Sequence, residues 1–207
     1  MTTRTKNRLL LLCMIAPFLL TFAYIRVFVD LGDMDRNNKG TLIIPHVDFA
    51  DLKPRDSNGT ALNSEQLNNR LAEQWTLLYI ANGDCAVSCK NALFYLITQL
   101  RKSLDTDTPR VRRLIAHTRP AGPELQEFLD ENVSGMEEIF IDSVAAEHAL
   151  VPFMQGESSA VNHIYIVSPD GKIFIWYPTY EKMEDILLEA DKIRADLKRT
   201  LKGSLIG

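Results

Sequence analysis

Cysteine and histidine are scarce in this chain of 207 residues, which holds three cysteines and four histidines. Thiol chemistry and soft-metal binding need those side chains, so scarcity narrows where they can occur. Cys13 lies inside an N-terminal apolar run and reads as a small apolar residue there. That leaves Cys85 and Cys89. A basic excess is also absent. The net charge is -4, which gives no electrostatic footprint for nucleic acid, and Arg110, Arg112 and Arg113 read as a local solvated face. No internal repeat or low-complexity tract occurs, so a repeat architecture is excluded. Apolar and charged fractions of 46% and 24% are those of a globular protein. Beyond the N-terminal run about 175 residues remain, enough for one well-packed domain and too few for two.

Arg4, Lys6 and Arg8 precede an apolar run over 9–25, and Val27, Phe28 and Val29 resume it beyond Arg26. The run is about 17 residues long, or about 21 with Arg26 reaching to the interface, which is long enough to cross a bilayer. This predicts a transmembrane anchor over 9–29, residues 1–8 in the cytoplasm and the remainder exported. A cleaved signal peptide is the rival reading, but the 21–24 stretch, TFAY, is a poor cleavage site. Residues 30–40, DLGDMDRNNKG, read as a linker, and 41–207 as the exported domain.

The stretch WTLLYIANGDCAVSCKNALFYLITQL, 75–100, organises that domain. Residues 75–80 read as a strand buried on both faces and 82–84 as a turn, and a helix then runs to about Ser103. Ala92, Leu93, Leu96, Ile97 and Leu100 mark the apolar face of that helix. Before it, 42–62 predicts a β-hairpin with Asn58-Gly59 at its tip, and 64–72 a short helix capped by Ser64. After it come a strand over 111–118, a helix over 123–132, a short strand over 138–142 and a helix over 144–154. Strands over 162–167 and 172–177 flank the turn SPDG, and a helix capped by Thr179 runs to about Lys202. Its expected apolar face is Met183, Ile186, Leu187, Ala190, Ile193 and Leu197. The order predicts an α/β domain with a mixed sheet covered on both faces: a thioredoxin-like fold with an N-terminal β-hairpin extension, preceded by one transmembrane helix.

Cys85 and Cys89 fall where the turn becomes the helix, and i, i+4 spacing places them on one helix face if both are helical. A helix N-terminus stabilises a thiolate, Lys90 adds positive charge and Asp84 opposes it. Cys85 should be the more exposed thiol. In an exported domain the pair is open to three uses: a structural disulfide, a redox pair or a pair of soft ligands for Cu(I). The structural use is the weakest, because so short a loop gains little chain entropy. A complete copper site needs a third ligand. His163, at the start of the strand before the last hairpin, is the first candidate and His117 the second, while His46 and His148 read as surface residues.

On these features the chain resembles the Sco/SenC family, membrane-anchored thioredoxin-like proteins that assist copper insertion into cytochrome c oxidase. The resemblance covers roughly 42–200. It is carried by WTLLYIANGDCAVSC with its CxxxC, by IYIVSPDGKIF, by 45–62 and by the single anchor. It implies an assembly factor for the copper centre of cytochrome c oxidase, rather than a turnover enzyme. Cys85 and Cys89 would work as a redox pair, or with His163 as copper ligands, on the oxidase subunit that carries the dinuclear copper site. The implied location is a bacterial inner membrane, with the domain in the periplasm. Two positions depart from the family. Ala86 and Lys90 stand where it has proline after each cysteine, and aligning on Pro169-Asp170-Gly171 puts its copper-binding histidine at Ala160, three residues before His163. Two alternatives carry no metal. One is a general membrane-anchored thiol–disulfide oxidoreductase in which Cys85 attacks and Cys89 resolves. The other is a respiratory-membrane scaffold whose cysteines only hold the turn.

Overall fold

The computed structural model describes residues 14–18, 20 and 38–204. The expected anchor over 9–29 and the linker over 30–40 fall largely outside these residues. The 14–18 stretch is helical. Among the described residues no helix is long and apolar enough to cross a membrane.

From residue 41 the chain alternates strands and helices much as the apolar periodicity predicts. The strands are β1 (Thr41–Asp48), β2 (Trp75–Ala81), β3 (Val111–His117), β4 (Glu137–Phe140), β5 (Ile164–Val167) and β6 (Lys172–Tyr177). They form one sheet in the order β1-β6-β5-β2-β3-β4. Pairing is parallel for β2–β3 and β3–β4, and antiparallel for β2–β5, β5–β6 and β1–β6. The helices are α1 (Ser64–Leu71), α2 (87–102), α3 (Pro123–Asn132), α4 (Ser143–Leu150) and α5 (Met183–Gly203). Alternation along the strands divides the core in two. Leu77, Tyr79 and Ala81 of β2 pack with Ile115 of β3 and with α2, α3 and α5, whereas Leu78 and Ile80 pack with Leu114, Ala116 and α1 and α4 on the other face. The sheet is thus a mixed layer covered on both sides.

Three expectations are corrected. First, 42–62 is not a hairpin. Leu42 and Thr41 pair with Ile175 and Trp176, the strand bulges through a cis Ile44–Pro45 peptide, and Val47 and Asp48 then rejoin β6. The edge of the main sheet competes for this segment and wins, because β6 offers a full ladder. The Asn58-Gly59 turn does exist, closed by a single bridge from Arg55 to Ala61 and by the Asp56 carboxylate, which accepts from Asn58 N and Thr60 N. Second, α5 begins at Met183 and not at Thr179, whose hydroxyl instead donates to the Asn162 carbonyl at 2.8 Å. Ser64 likewise yields its capping role to Asn63, which forms a capping box with Gln66. Third, Arg110, Arg112 and Arg113 are engaged and not simply solvated. Arg110 donates to the carbonyls of Leu201 and Ser204 at the end of α5, Arg112 to Gln74 and Arg113 to Thr98 and Ser134.

The helix α2 changes pitch along its length. Val87–Asn91 is α-helical, Ala92–Gln99 is π-helical and Leu100–Lys102 is α-helical again. The Thr98 hydroxyl donates to the Leu93 carbonyl five residues back, at 2.8 Å, and accepts from Arg113 Nη1 at 3.1 Å. A side-chain bond to that carbonyl holds the wide turn open.

The apolar face of α5 also carries two carboxylates, Glu189 and Asp196, both 2% exposed. Asp196 accepts from the backbone N–H of Lys39 and Gly40 and from the Tyr177 hydroxyl at 2.9 Å. Gly40 is required there, since a Cβ would lie 2.3 Å from the Tyr177 ring. Asp196→Ala leaves the buried Tyr177 hydroxyl and the partly buried N–H groups at Lys39 and Gly40 without their acceptor, and should cost about 3 kcal/mol by urea unfolding of the full-length chain. Asp196→Asn, which keeps one acceptor, should cost about half as much. A loss below about 1 kcal/mol in the alanine variant would show that water replaces the carboxylate.

Candidate functional site

The site is built where β2 runs out. Its last carbonyl, that of Ala81, accepts from both the backbone N–H and the hydroxyl of Thr118, at 2.8 and 3.0 Å. Gly83 follows with φ +96°, and a Cβ on it would lie 2.8 Å from the Pro120 carbonyl oxygen. Gly122 N donates to the Gly83 carbonyl at 2.8 Å. The turn before the cysteines is therefore fastened to the segment that follows β3.

Cys85 and Cys89 are joined in a disulfide with their Cα atoms 5.1 Å apart. Cys85 lies outside the helix, which starts at Val87 with Ala86 as an N-cap that offers no side-chain acceptor. The i, i+4 geometry expected of two helical residues is thus replaced by a bridge from the turn to the first turn of the helix. The early N–H groups of α2 lack a side-chain partner at the cap and point toward the bridge end of the helix. Both cysteines are buried, at 3% and 1% exposure, so the expected contrast between them is small. Asp84, Ala86 and Val87 around Cys85 are exposed. The Lys90 ammonium does not serve the sulfurs, because it pairs with Glu124 at the start of α3.

Just before β5, Asn162 adopts φ +61°, donates its N–H to the Ile80 carbonyl at 2.8 Å and accepts from the Tyr79 hydroxyl at 3.1 Å. Burial drives the Tyr79 phenol well above its ordinary range, so it stays a donor. Asn162 therefore faces the cysteine side of the sheet. His163, the next residue, faces the other side. Its ring stands edge-on to Trp176 at 5.2 Å, its Nδ1 lies 2.8 Å from the Val161 carbonyl and its Nε2 3.5 Å from Glu157. Ala160 packs in the same far core, its N–H donating to Glu147 at 2.7 Å. The structure does not bring His163 to the cysteines. Among the described residues no group of three or more His, Cys, Asp or Glu side chains is arranged to hold a metal ion. His46 is exposed against Phe174, and His148 is exposed on α4.

His117 closes β3 on the cysteine side of the sheet. It is 1% exposed, its Nε2 lies 3.0 Å from Glu138 Oε2, its ring tilts against Phe140 and its Nδ1 has no partner. Glu138 was not foreseeable as its companion, because the pair forms across β3 and β4 and depends on their register. Burial holds both His117 and His163 below the ordinary histidine value, and Glu138 and Glu157 work against it.

The family model of transmembrane-like, thioredoxin-like C-terminal domains matches residues 75–204, from β2 to the end of α5. No curated protein matches the chain. Among solved structures, yeast Sco1 superposes with a TM-score of 0.52 at 12% identity, over 82% of this chain and 100% of that one. Yeast Sco1 with copper bound gives 0.50 at 12% identity, over 82% and 96%. Apo Sco1 of Thermus thermophilus gives 0.50 at 13%, over 81% and 99%. At such identities the likeness is one of fold.

Two buried histidines held neutral make stability sensitive to acid. A depressed folded value means the unfolded chain binds more protons as pH falls, so the contribution is full above 6.5 and lost as pH drops through the folded values. The urea midpoint should therefore decline from about pH 7 to about pH 5, and the decline should flatten in His117→Gln, His163→Gln. An unchanged slope in the double variant would assign it to carboxylates instead.

Proposed function

Because the chain belongs to the family of transmembrane-like, thioredoxin-like C-terminal domains, we propose that it is a Sco-like thiol–disulfide redox factor working through Cys85 and Cys89. Its clients in this reading are exported cysteine pairs, foremost those of the cytochrome c oxidase subunit that carries the dinuclear copper site. The observation that carries the proposal is the disulfide closed across the N-terminus of α2 at the end of a central strand. The reading keeps the anchor over 9–29 in a bacterial inner membrane and the domain from 41 in the periplasm, where such a bond forms and persists.

In the reduced protein the Cys85 thiolate attacks a sulfur of the client disulfide, and one client thiolate leaves with the electron pair. Cys89 then loses its proton and attacks Cys85, the second client thiolate leaves, and the Cys85–Cys89 bond is restored. Two electrons pass to the client, and its two thiolates take up protons. Cys85 is the attacking residue because it sits in the turn between exposed Asp84 and Ala86, while Cys89 lies within the helix. The uncapped N–H groups of α2 favour the thiolate.

Copper carriage is the second reading, favoured by the fold shared with copper-bound yeast Sco1. The donors present do not fit the two-cysteine, one-histidine site: the sulfurs are bonded to each other, and His163 packs on the far face of the sheet. No step here runs through the metal.

Cys89→Ser should trap client proteins covalently through Cys85 in cells, and Cys85→Ser should trap none. A bridge that stays oxidised under excess reductant, with nothing trapped, would make it structural and end the proposal. In Cu(I) titration of the reduced full-length chain, His163→Ala should leave uptake unchanged. A tenfold or greater loss of affinity would return His163 to the cysteines.

A further inference from the structure

This inference rests on the thiol-redox reading and concerns its second step. Cys89 is 1% exposed, so its proton has no direct way to bulk water when it must become the nucleophile. Strand β2 itself supplies no carboxylate or histidine behind the cysteines. The buried ionisable side chain at the end of the neighbouring strand is His117.

Its placement follows from the register. His117 pairs with Ala81, the residue from which the turn to Cys85 departs. Ile115, two residues earlier, belongs to the cysteine-side core together with Cys85, Cys89 and Ala81, and Leu114 and Ala116 to the other. The ring therefore stands on the cysteine face. The segment after it is bound to the residues leading into the cysteine turn, Thr118 to Ala81 and Gly122 to Gly83. Its two nitrogens are unequal. Nε2 meets the Glu138 carboxylate at 3.0 Å, while Nδ1 is buried with no hydrogen-bond partner. A carboxylate at Nε2 selects the tautomer with its proton there, which leaves a lone pair on Nδ1 in the apolar core. An unpaired buried acceptor is costly and calls for a use.

We propose that His117 is the general base for Cys89 and that Glu138 is the positioning residue that fixes its tautomer and faces the imidazolium while it lasts. As the Cys89 sulfur attacks Cys85 in the mixed disulfide, its proton goes to His117 Nδ1 and the client thiolate leaves with the electron pair. The resulting imidazolium lies against the Glu138 carboxylate. The ring then gives its Nδ1 proton to the departing client thiolate, which restores the Nε2–H tautomer held by Glu138. In the reverse direction the same path returns a proton to the Cys89 thiolate. Glu138 is the charged group acting on the ring, and its neighbour on β4, Phe140, is apolar. Burial favours the neutral ring, the form that can accept.

The test uses the reduced full-length chain and dithiobisnitrobenzoate, an aromatic disulfide that releases one coloured thiolate at each step. Stopped-flow mixing should give two phases in the wild type. In His117→Leu the first phase should be unchanged and the second about a hundredfold slower, the low end for loss of a general base. In Glu138→Gln the second phase alone should slow by about tenfold. Its rate–pH profile should also lack the histidine-range inflection expected of the wild type. Wild-type second phases in both variants would overturn the assignment. Should His117→Leu fail to fold, the half-exposed Glu138→Gln decides alone, and an unchanged second phase there overturns it. Absence of both phases in the wild type would instead bring down the redox reading beneath it.

Discussion

The parallel pairing of β2 with β3, unbroken from Trp75–Val111 to Ala81–His117, is the constraint on which the site depends. A strand paired on both edges and buried on both faces cannot shift by one residue without turning its apolar side chains over. Its end is therefore a fixed point. The Ala81 carbonyl is held twice by Thr118, Gly83 has no room for a side chain, and Cys85 emerges in one place and one direction. The same alternation decides what shares a face with the sulfurs. Asn162 and His117 lie on their face of the sheet, and His163 and Ala160 on the other.

Charge around the bridge is arranged sparingly. The nearest lysine in sequence, Lys90, is committed to Glu124, and Asp84 is exposed. What is left to tune the sulfurs is the free N-terminus of α2 and a low-dielectric core. That is an arrangement in which backbone dipoles and burial, and not adjacent ion pairs, act directly on the bridge. It fits a chain that has alanine and lysine, not proline, after its cysteines.

Much of this was legible in the residues. The continuous apolar run of 75–80 is β2, the CxxxC is the bridged pair, and the SPDG turn joins β5 to β6. What failed did so for physical reasons. The hairpin expected over 42–62 rests on local turn chemistry, while the edge of a sheet far along the chain decides its pairing. The expectation for His163 rests on its position at a strand start, but a left-handed Asn162 sets the phase there, and single-residue phase is what chooses the face. The buried carboxylates on α5 and the Glu138 partner of His117 depend on who lies opposite, which spacing along one segment does not encode. The π-helical stretch of α2 shows the same limit, since Thr98 and Arg113 hold it from two elements.

Asp196 gives the domain a mechanical property. Its carboxylate grips the backbone at Lys39 and Gly40, just ahead of the first strand, and ties it to the middle of α5. Tension arriving along the chain from its N-terminal side meets that grip before it reaches β1. The load passes into a 21-residue helix packed against the sheet, and is borne by several bonds in parallel instead of peeling an edge strand one pair at a time. The grip therefore stands at the same end of the sheet as the cysteine turn, in the row where Tyr79, Ile164 and Tyr177 lie in register.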